Sequence, residues 1–86
     1  MKFYFSKLFT EKVLLLNEIE QKELKEKLAF MAQNSRHQSL RNKKIKGTKN
    51  IFEASIIMNI RMTWQYYKDG ILLRNIGKHD ETLKNP

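Results

Sequence analysis

The spacing of hydrophobic and polar residues changes several times along the 86-residue chain, and each change marks an element. Lys2–Phe5, KFYF, is short and aromatic and reads as a strand. From Ser6 onward the period is helical: Phe9, Val13 and Leu16 share a side that Leu14 and Leu15 widen, predicting a helix over about 6–16. Asn17 followed by Glu20 has the form of a capping box. Behind it Ile19, Leu24, Leu28 and Met31 make an apolar stripe flanked by Glu and Lys, predicting a second helix over 18–33. Gln33–Ser39, QNSRHQS, breaks the period and reads as a loop.

The second half follows a period of two. Leu40–Gly47, LRNKKIKG, reads as a strand with a basic outer side that closes at Gly47. Phe52, Ala54 and Ile56 alternate with Glu53 and Ser55. Ile60, Met62, Trp64 and Tyr66 alternate with Arg61, Thr63, Gln65 and Tyr67. Both runs predict half-buried antiparallel strands. The turn between them, near Met58 and Asn59, is apolar and carries no turn signature. Lys68-Asp69-Gly70 is a hairpin signal, with Asp-Gly expected to supply the positive φ angles, and ILLRNIG is the partner strand. The order β-α-α-β-β-β-β predicts a single α+β domain spanning 1–86, with two N-terminal helices packed on one face of a twisted antiparallel sheet.

Composition narrows what such a domain can do. Hydrophobic residues make up 41% of the chain, enough for a packed core. Cysteine is absent, which removes disulfides and thiolate metal sites and suits a reducing compartment. Lys7, Glu11 and Lys12 interrupt the apolar start, so neither a signal peptide nor a membrane span is expected, and the location predicted is the cytoplasm. The net charge of +8 is unevenly spread: residues 1–34 carry six basic and five acidic side chains, residues 35–86 eleven and four. Between Arg36 and Lys49 six basic residues occur with no acid. This asymmetry points to a polyanion-facing surface in the second half.

Alternation sorts the polar side chains. Glu53, Ser55, Arg61, Thr63 and Gln65 fall on the side away from the predicted core. His79 lies just past the last strand, where the chain can curl over that open face; Lys43, Lys44 and Lys46 lie on the basic strand. One concave face holding an acid, an arginine, a histidine and lysines suits RNA cleavage by its own 2′-OH. That reaction needs a base, a proton donor for the departing 5′-oxygen, and cations for the charge building on phosphorus. His79 can be acid or base, Glu53 a base, and Arg61 a fork for phosphate oxygens. Other readings of the same residues stay open. Glu53 can instead pair across strands with Arg61, Asp80 can cap a terminal turn, and His37 can be a plain loop histidine. His79-Asp80-Glu81 lacks metal-ligand spacing, so no metal or other cofactor is expected.

The His-x-Ser-Leu-Arg approach at His37, the Lys-x-Lys-Gly at Lys44–Gly47, the NIRMTWQY strand, the Asp-Gly hairpin and the terminal Gly-x-His-Asp-Glu form an ordered set over residues 37–83. That set resembles the RelE/ParE superfamily of bacterial type II toxins, closest to RelE- and YafQ-like mRNA interferases. The resemblance implies a RelE-like fold and a cognate antitoxin as partner. It also implies metal-free cleavage of mRNA on the ribosome by the 2′-OH route, with Arg61 at the scissile phosphate and His79 as acid or base. By the same resemblance His37, Lys44 and Lys46 belong to the RNA-binding set; the acid-free basic run adds Arg41, Lys43 and Lys49 to it, and Arg74 is counted with them. The sequence departs from the YafQ-like pattern where Asn75 replaces an arginine, with Arg74 one step off, and where Leu83 replaces an aromatic. A one-residue shift in a strand turns a side chain to the other face unless a bulge restores it. ParE-like members share the fold and poison DNA gyrase without a nuclease site. That is the competing reading; a third is a nucleic-acid-binding module without catalysis.

Overall fold

Ser6 decides where the first strand stops. In the computed structural model, which describes residues 1–86, β1 (Lys2–Phe5) ends there and α1 (Lys7–Val13) begins. The Ser6 hydroxyl accepts from the Phe9 amide at 2.9 Å, capping the helix, and donates to the Arg74 carbonyl at 2.6 Å. One side chain therefore ends a strand, starts a helix and ties both to the far end of the sequence.

The predicted helix over 6–16 is shorter than its apolar pattern. It stops at Val13, and Leu14 and Leu15 are exposed while Leu16 turns into the core. The corner holds because Leu15 and Leu16 make short-range amide bonds to Lys12 and Val13. The Gln21 amide then donates to the carbonyls of both Val13 and Leu16. The predicted capping box opens α2 (Glu18–Gln33), with Asn17 and Glu20 bonded reciprocally. Leu24 and Met31 are buried and Leu28 packs against the core, but Ile19 is exposed. Five residues before Leu24, at about 100° per residue, Ile19 points about 140° away from the inward stripe.

The sheet has five strands in the order β1-β5-β4-β3-β2. β3 (Phe52–Ile57), β4 (Ile60–Tyr67) and β5 (Gly70–Lys78) form an antiparallel meander as the alternation predicts. β1 is the exception to an all-antiparallel sheet, pairing in parallel with β5. The predicted strand over Leu40–Gly47 shrinks to β2 (Lys43–Lys44). Before it, Gln38–Leu40 is a 3₁₀ turn that closes with Arg41 in the left-handed region, and beyond it a turn reaches Gly47 at φ +82°.

In the β4–β5 hairpin the positive φ falls on Lys68, not on the Asp-Gly pair. Gly70 serves another purpose: a Cβ there would sit 1.8 Å from the Lys2 carbonyl oxygen, so only glycine lets β1 close on β5.

α1 packs on β5 and α2 on β3, both on one face of the sheet. Thirteen buried apolar residues fill that layer, including Phe9, Leu24, Met31, Leu40, Met62 and Trp64. On the other face the chain end forms α3 (His79–Lys84), which lies over β4 and β5. Thr63, expected to be open, is consequently buried, and its hydroxyl donates to the Pro86 carbonyl at 3.0 Å. Gly77 permits the approach, because a Cβ there would meet the Thr82 hydroxyl at 3.0 Å. The half of this face over β3 stays uncovered by α3. No helix is long and apolar enough to cross a membrane.

Candidate active site

The β3–β4 register places Ser55 opposite Arg61 and Glu53 opposite Thr63, all on the face that α3 only partly covers. Arg61 Nε lies 3.7 Å from a Glu53 carboxylate oxygen, and the two side chains are 20% and 15% exposed. The cross-strand pairing expected as one alternative is therefore present. Arg61 does more than pair. Its Nη1 donates to the carbonyls of Ile57 (3.0 Å), Met58 (3.0 Å) and Ile60 (3.2 Å), which is what closes the apolar turn lacking any sequence signature. Nη2 is the guanidinium nitrogen left without a protein partner.

His79 reaches the same turn from the other side. Its backbone N–H donates to the Asn59 carbonyl at 3.0 Å, so the four carbonyls from Ile57 to Ile60 all accept from Arg61 or His79. Arg61 pairs with Gly77 on β5, and His79 follows two residues later as the first residue of α3. The imidazole is 48% exposed, with Nδ1 3.0 Å from the Asp80 carboxylate and Nε2 free. Asp80 thus orients the ring from solvent. No group of three or more His, Cys, Asp or Glu side chains is close enough to hold a metal ion.

The basic residues do not share this face. Lys43 does, being paired with Glu53 across β2 and β3. Lys44 is paired with Phe52, so it turns to the helix-bearing face and lines a cleft there with Arg41 and His37. Lys46 and Lys49 lie exposed in the turn that follows β2. A single concave face holding all the lysines is replaced by two cationic faces, because the pleat separates Lys43 from Lys44. His37 is structurally committed: its ring stacks on Phe30 at 4.4 Å and its Nδ1 accepts from the Ser39 amide at 3.2 Å.

Arg74 is the extra residue of a β-bulge. Thr63 pairs with Asn75 and Trp64 with Leu73, leaving Arg74 unpaired between them. The bulge turns it to the α3 face, but its Nε donates to the Pro86 carbonyl at 3.0 Å and its Nη1 to Gln65. It holds the chain end and stands apart from the Glu53–Arg61 pair. Lys27 is a neighbour that alternation missed. It shares a depression with Ser39, Arg41, Ser55 and Arg61 at the β3 edge, and nothing in the helical pattern of α2 distinguishes it from other solvent-facing lysines.

No family profile matches the sequence, and no curated protein matches it either. Solved structures do match. The RelB–RelE antitoxin–toxin complex from Methanococcus jannaschii contains a chain that is 20% identical, with a TM-score of 0.74 and coverage of 95% of both chains. In the Escherichia coli DinJ–YafQ toxin–antitoxin complex the identity is 13%, the TM-score 0.77 and the coverage 93% of each chain. The Staphylococcus aureus YoeB dimer gives 17% identity and a TM-score of 0.74, covering 92% of this chain and 97% of that one. At these identities the likeness is one of architecture, and the chain has the fold of the RelE-, YafQ- and YoeB-type toxins.

Proposed function

We propose that this protein is the toxin of a toxin–antitoxin pair and that it cleaves mRNA on the ribosome, without a metal, by attack of the RNA's own 2′-OH. The reading is supported by the Glu53–Arg61 pair beside the Ile57–Ile60 turn, to which His79 is anchored through its backbone, with Arg61 Nη2 and His79 Nε2 unengaged. In this mechanism Glu53 takes the proton of the attacking 2′-OH. Arg61 Nη2 binds a non-bridging oxygen as charge builds on phosphorus. The P–O5′ bond breaks as His79 Nε2 delivers a proton to the leaving oxygen, giving a 2′,3′-cyclic phosphate and a 5′-hydroxyl end. Lys43, opposite Glu53, adds positive potential to the same face. The antitoxin, as in the RelB–RelE and DinJ–YafQ complexes of those proteins, is the natural partner, and an acidic segment across the basic surface would neutralise it.

Inducing the protein in a bacterium and mapping RNA ends tests the reading. The expected result is arrested translation with cyclic-phosphate ends in messages, and growth restored by His79→Ala. Intact messages accompanied by DNA breaks would instead identify a ParE-like gyrase poison, which uses the fold and basic surface but has no use for His79.

A further inference from the structure

The helix-bearing face of the sheet carries a second cleft, opposite the Glu53–Arg61 side, with a volume of about 360 Å3. Its floor is aromatic. Phe52 and Trp64 stack at 4.8 Å and 24°, and Tyr66 stands edge-on to them at 6.1 and 5.1 Å. Its rim is cationic: Arg36, Arg41 and Lys44 line it, and no acid does. The floor is held ready, because Trp64 Nε1 donates to Asn42 at 3.1 Å and the Tyr66 hydroxyl is 2.9 Å from that of Ser35.

Trp64 is buried beneath this floor, and the exposed Tyr66 ring and half-buried Phe52 below the cations match a nucleotide, whose base uses the π surface and whose phosphate uses the rim. An acidic peptide would engage the rim and leave the floor idle. The volume falls in the range of small-molecule sites.

The cleft also connects to the other face. Arg41 lines both it and the depression of about 350 Å3 shared by Lys27, Ser55 and Arg61. That depression exists because β2 pairs only with Phe52 and Glu53, leaving the β3 edge from Ser55 to Ile57 uncovered. Arg41 sits at the corner in the left-handed conformation, its amide bonded to the Gln38 carbonyl at 3.1 Å.

We infer that the Phe52–Trp64–Tyr66 cleft is a nucleotide subsite for single-stranded RNA, and that the strand leaves it past Arg41 and Lys27 to reach Arg61. The second half of this inference rests on the ribonuclease reading; the first half does not.

Trp64 is the sole tryptophan, so its fluorescence reports on the cleft. The test titrates a mixed-sequence RNA hexamer into full-length protein carrying His79→Ala, which leaves the RNA uncut. A saturable change in Trp64 emission is expected. Arg36→Glu with Lys44→Glu, both at exposed positions, should weaken binding by about tenfold and abolish that change. Arg36→Gln with Lys44→Gln should weaken it by about threefold or more without charge reversal. Arg61→Ala should weaken hexamer binding while leaving the emission change at saturation. The inference is overturned if the hexamer binds without moving Trp64 emission, or if the charge changes have no effect. Poly-glutamate producing the same response and competing equally would overturn it too, identifying a protein segment as the occupant. Cleft binding by these criteria with messages left intact after induction would remove the ribonuclease reading and the path to Arg61, but support the subsite. Cleaved messages with no cleft response would do the reverse.

Discussion

His79 donates its main-chain N–H to the Asn59 carbonyl at 3.0 Å, so the residue is anchored by its backbone while its imidazole projects half-exposed from the same turn. A side chain with no structural bond beyond a solvent-exposed carboxylate can be removed without loosening the fold. His79→Ala should therefore leave the unfolding free energy within about 0.5 kcal/mol of the parent. RNA cleavage should fall by about 10²–10⁴, the range lost with a general acid. Calorimetry beside single-turnover cleavage separates the two effects, and equal losses in both would remove the proton-transfer role.

Arg61 presents the opposite case, because one guanidinium serves structure and chemistry together. Nη1 closes the β3–β4 turn through three carbonyls and Nε faces Glu53. Lysine keeps the charge but cannot span those acceptors. Arg61→Lys should cost about 1 kcal/mol, lowering the melting temperature by about 4–8 °C, and cleavage should fall as well. Glu53→Gln keeps a polar neighbour for Arg61 and removes the base. It should lower cleavage by about a hundredfold with little change in melting.

The elements legible in the sequence were those whose period was strong and whose signals were local. The Asn17–Glu20 box, the β3 and β4 alternation and the position of the hairpin all emerge where the pattern puts them. What was not legible depended on distant partners. Leu14 and Leu15 look helical until the Gln21 side chain claims the corner carbonyls. Thr63 looks exposed until α3 covers it, and Gly70 looks like a turn glycine until Lys2 packs against it. The Glu53–Arg61 side of the candidate site followed from alternation. The split of Lys43 from Lys44 between faces did not, because it depends on how a two-residue strand pairs with β3.

The bulge gives Arg74 a role distinct from that of the other basic residues. Its bonds run to Pro86 and Gln65, on the half of the face already covered. Arg74→Ala should destabilise the fold by about 1 kcal/mol but leave the salt dependence of RNA binding unchanged. Lys44→Ala, at an exposed position, should reduce the log–log salt slope by about 1 with no loss of stability. Binding measured across a salt series, with thermal melts of the same variants, distinguishes a clasp from a phosphate contact.

Two glycines make a paired test of close approach against backbone conformation. At Gly70 an added Cβ meets main chain, which cannot swing aside, and β1 must separate from β5. Gly70→Ala should cost about 3 kcal/mol or more, enough to lower the melting temperature by over about 10 °C. Gly47 has open space around it but φ +82°, so Gly47→Ala should cost only about 1 kcal/mol. A reversed order in urea midpoints would show that β1 is not held as the sheet register requires.

At the same end of the sheet, the Tyr4 hydroxyl donates to Asp69 at 2.5 Å, tying β1 to the hairpin turn. The hydrogen bond to Asp69 raises the phenol's pKa above its ordinary 10.0, helped by desolvation and by the charges of Asp69 and Tyr67. The neutral phenol is thus the form the fold favours. Its contribution is complete below the ordinary pKa and is lost as pH rises through the raised folded value. Stability should therefore decline above about pH 10 more steeply in the parent than in Tyr4→Phe, which has no proton to lose. Urea midpoints of both proteins from pH 7 to pH 11 give the comparison. Only the difference between the curves reports on Tyr4, and parallel curves would mean the Asp69 bond does not stabilise the fold.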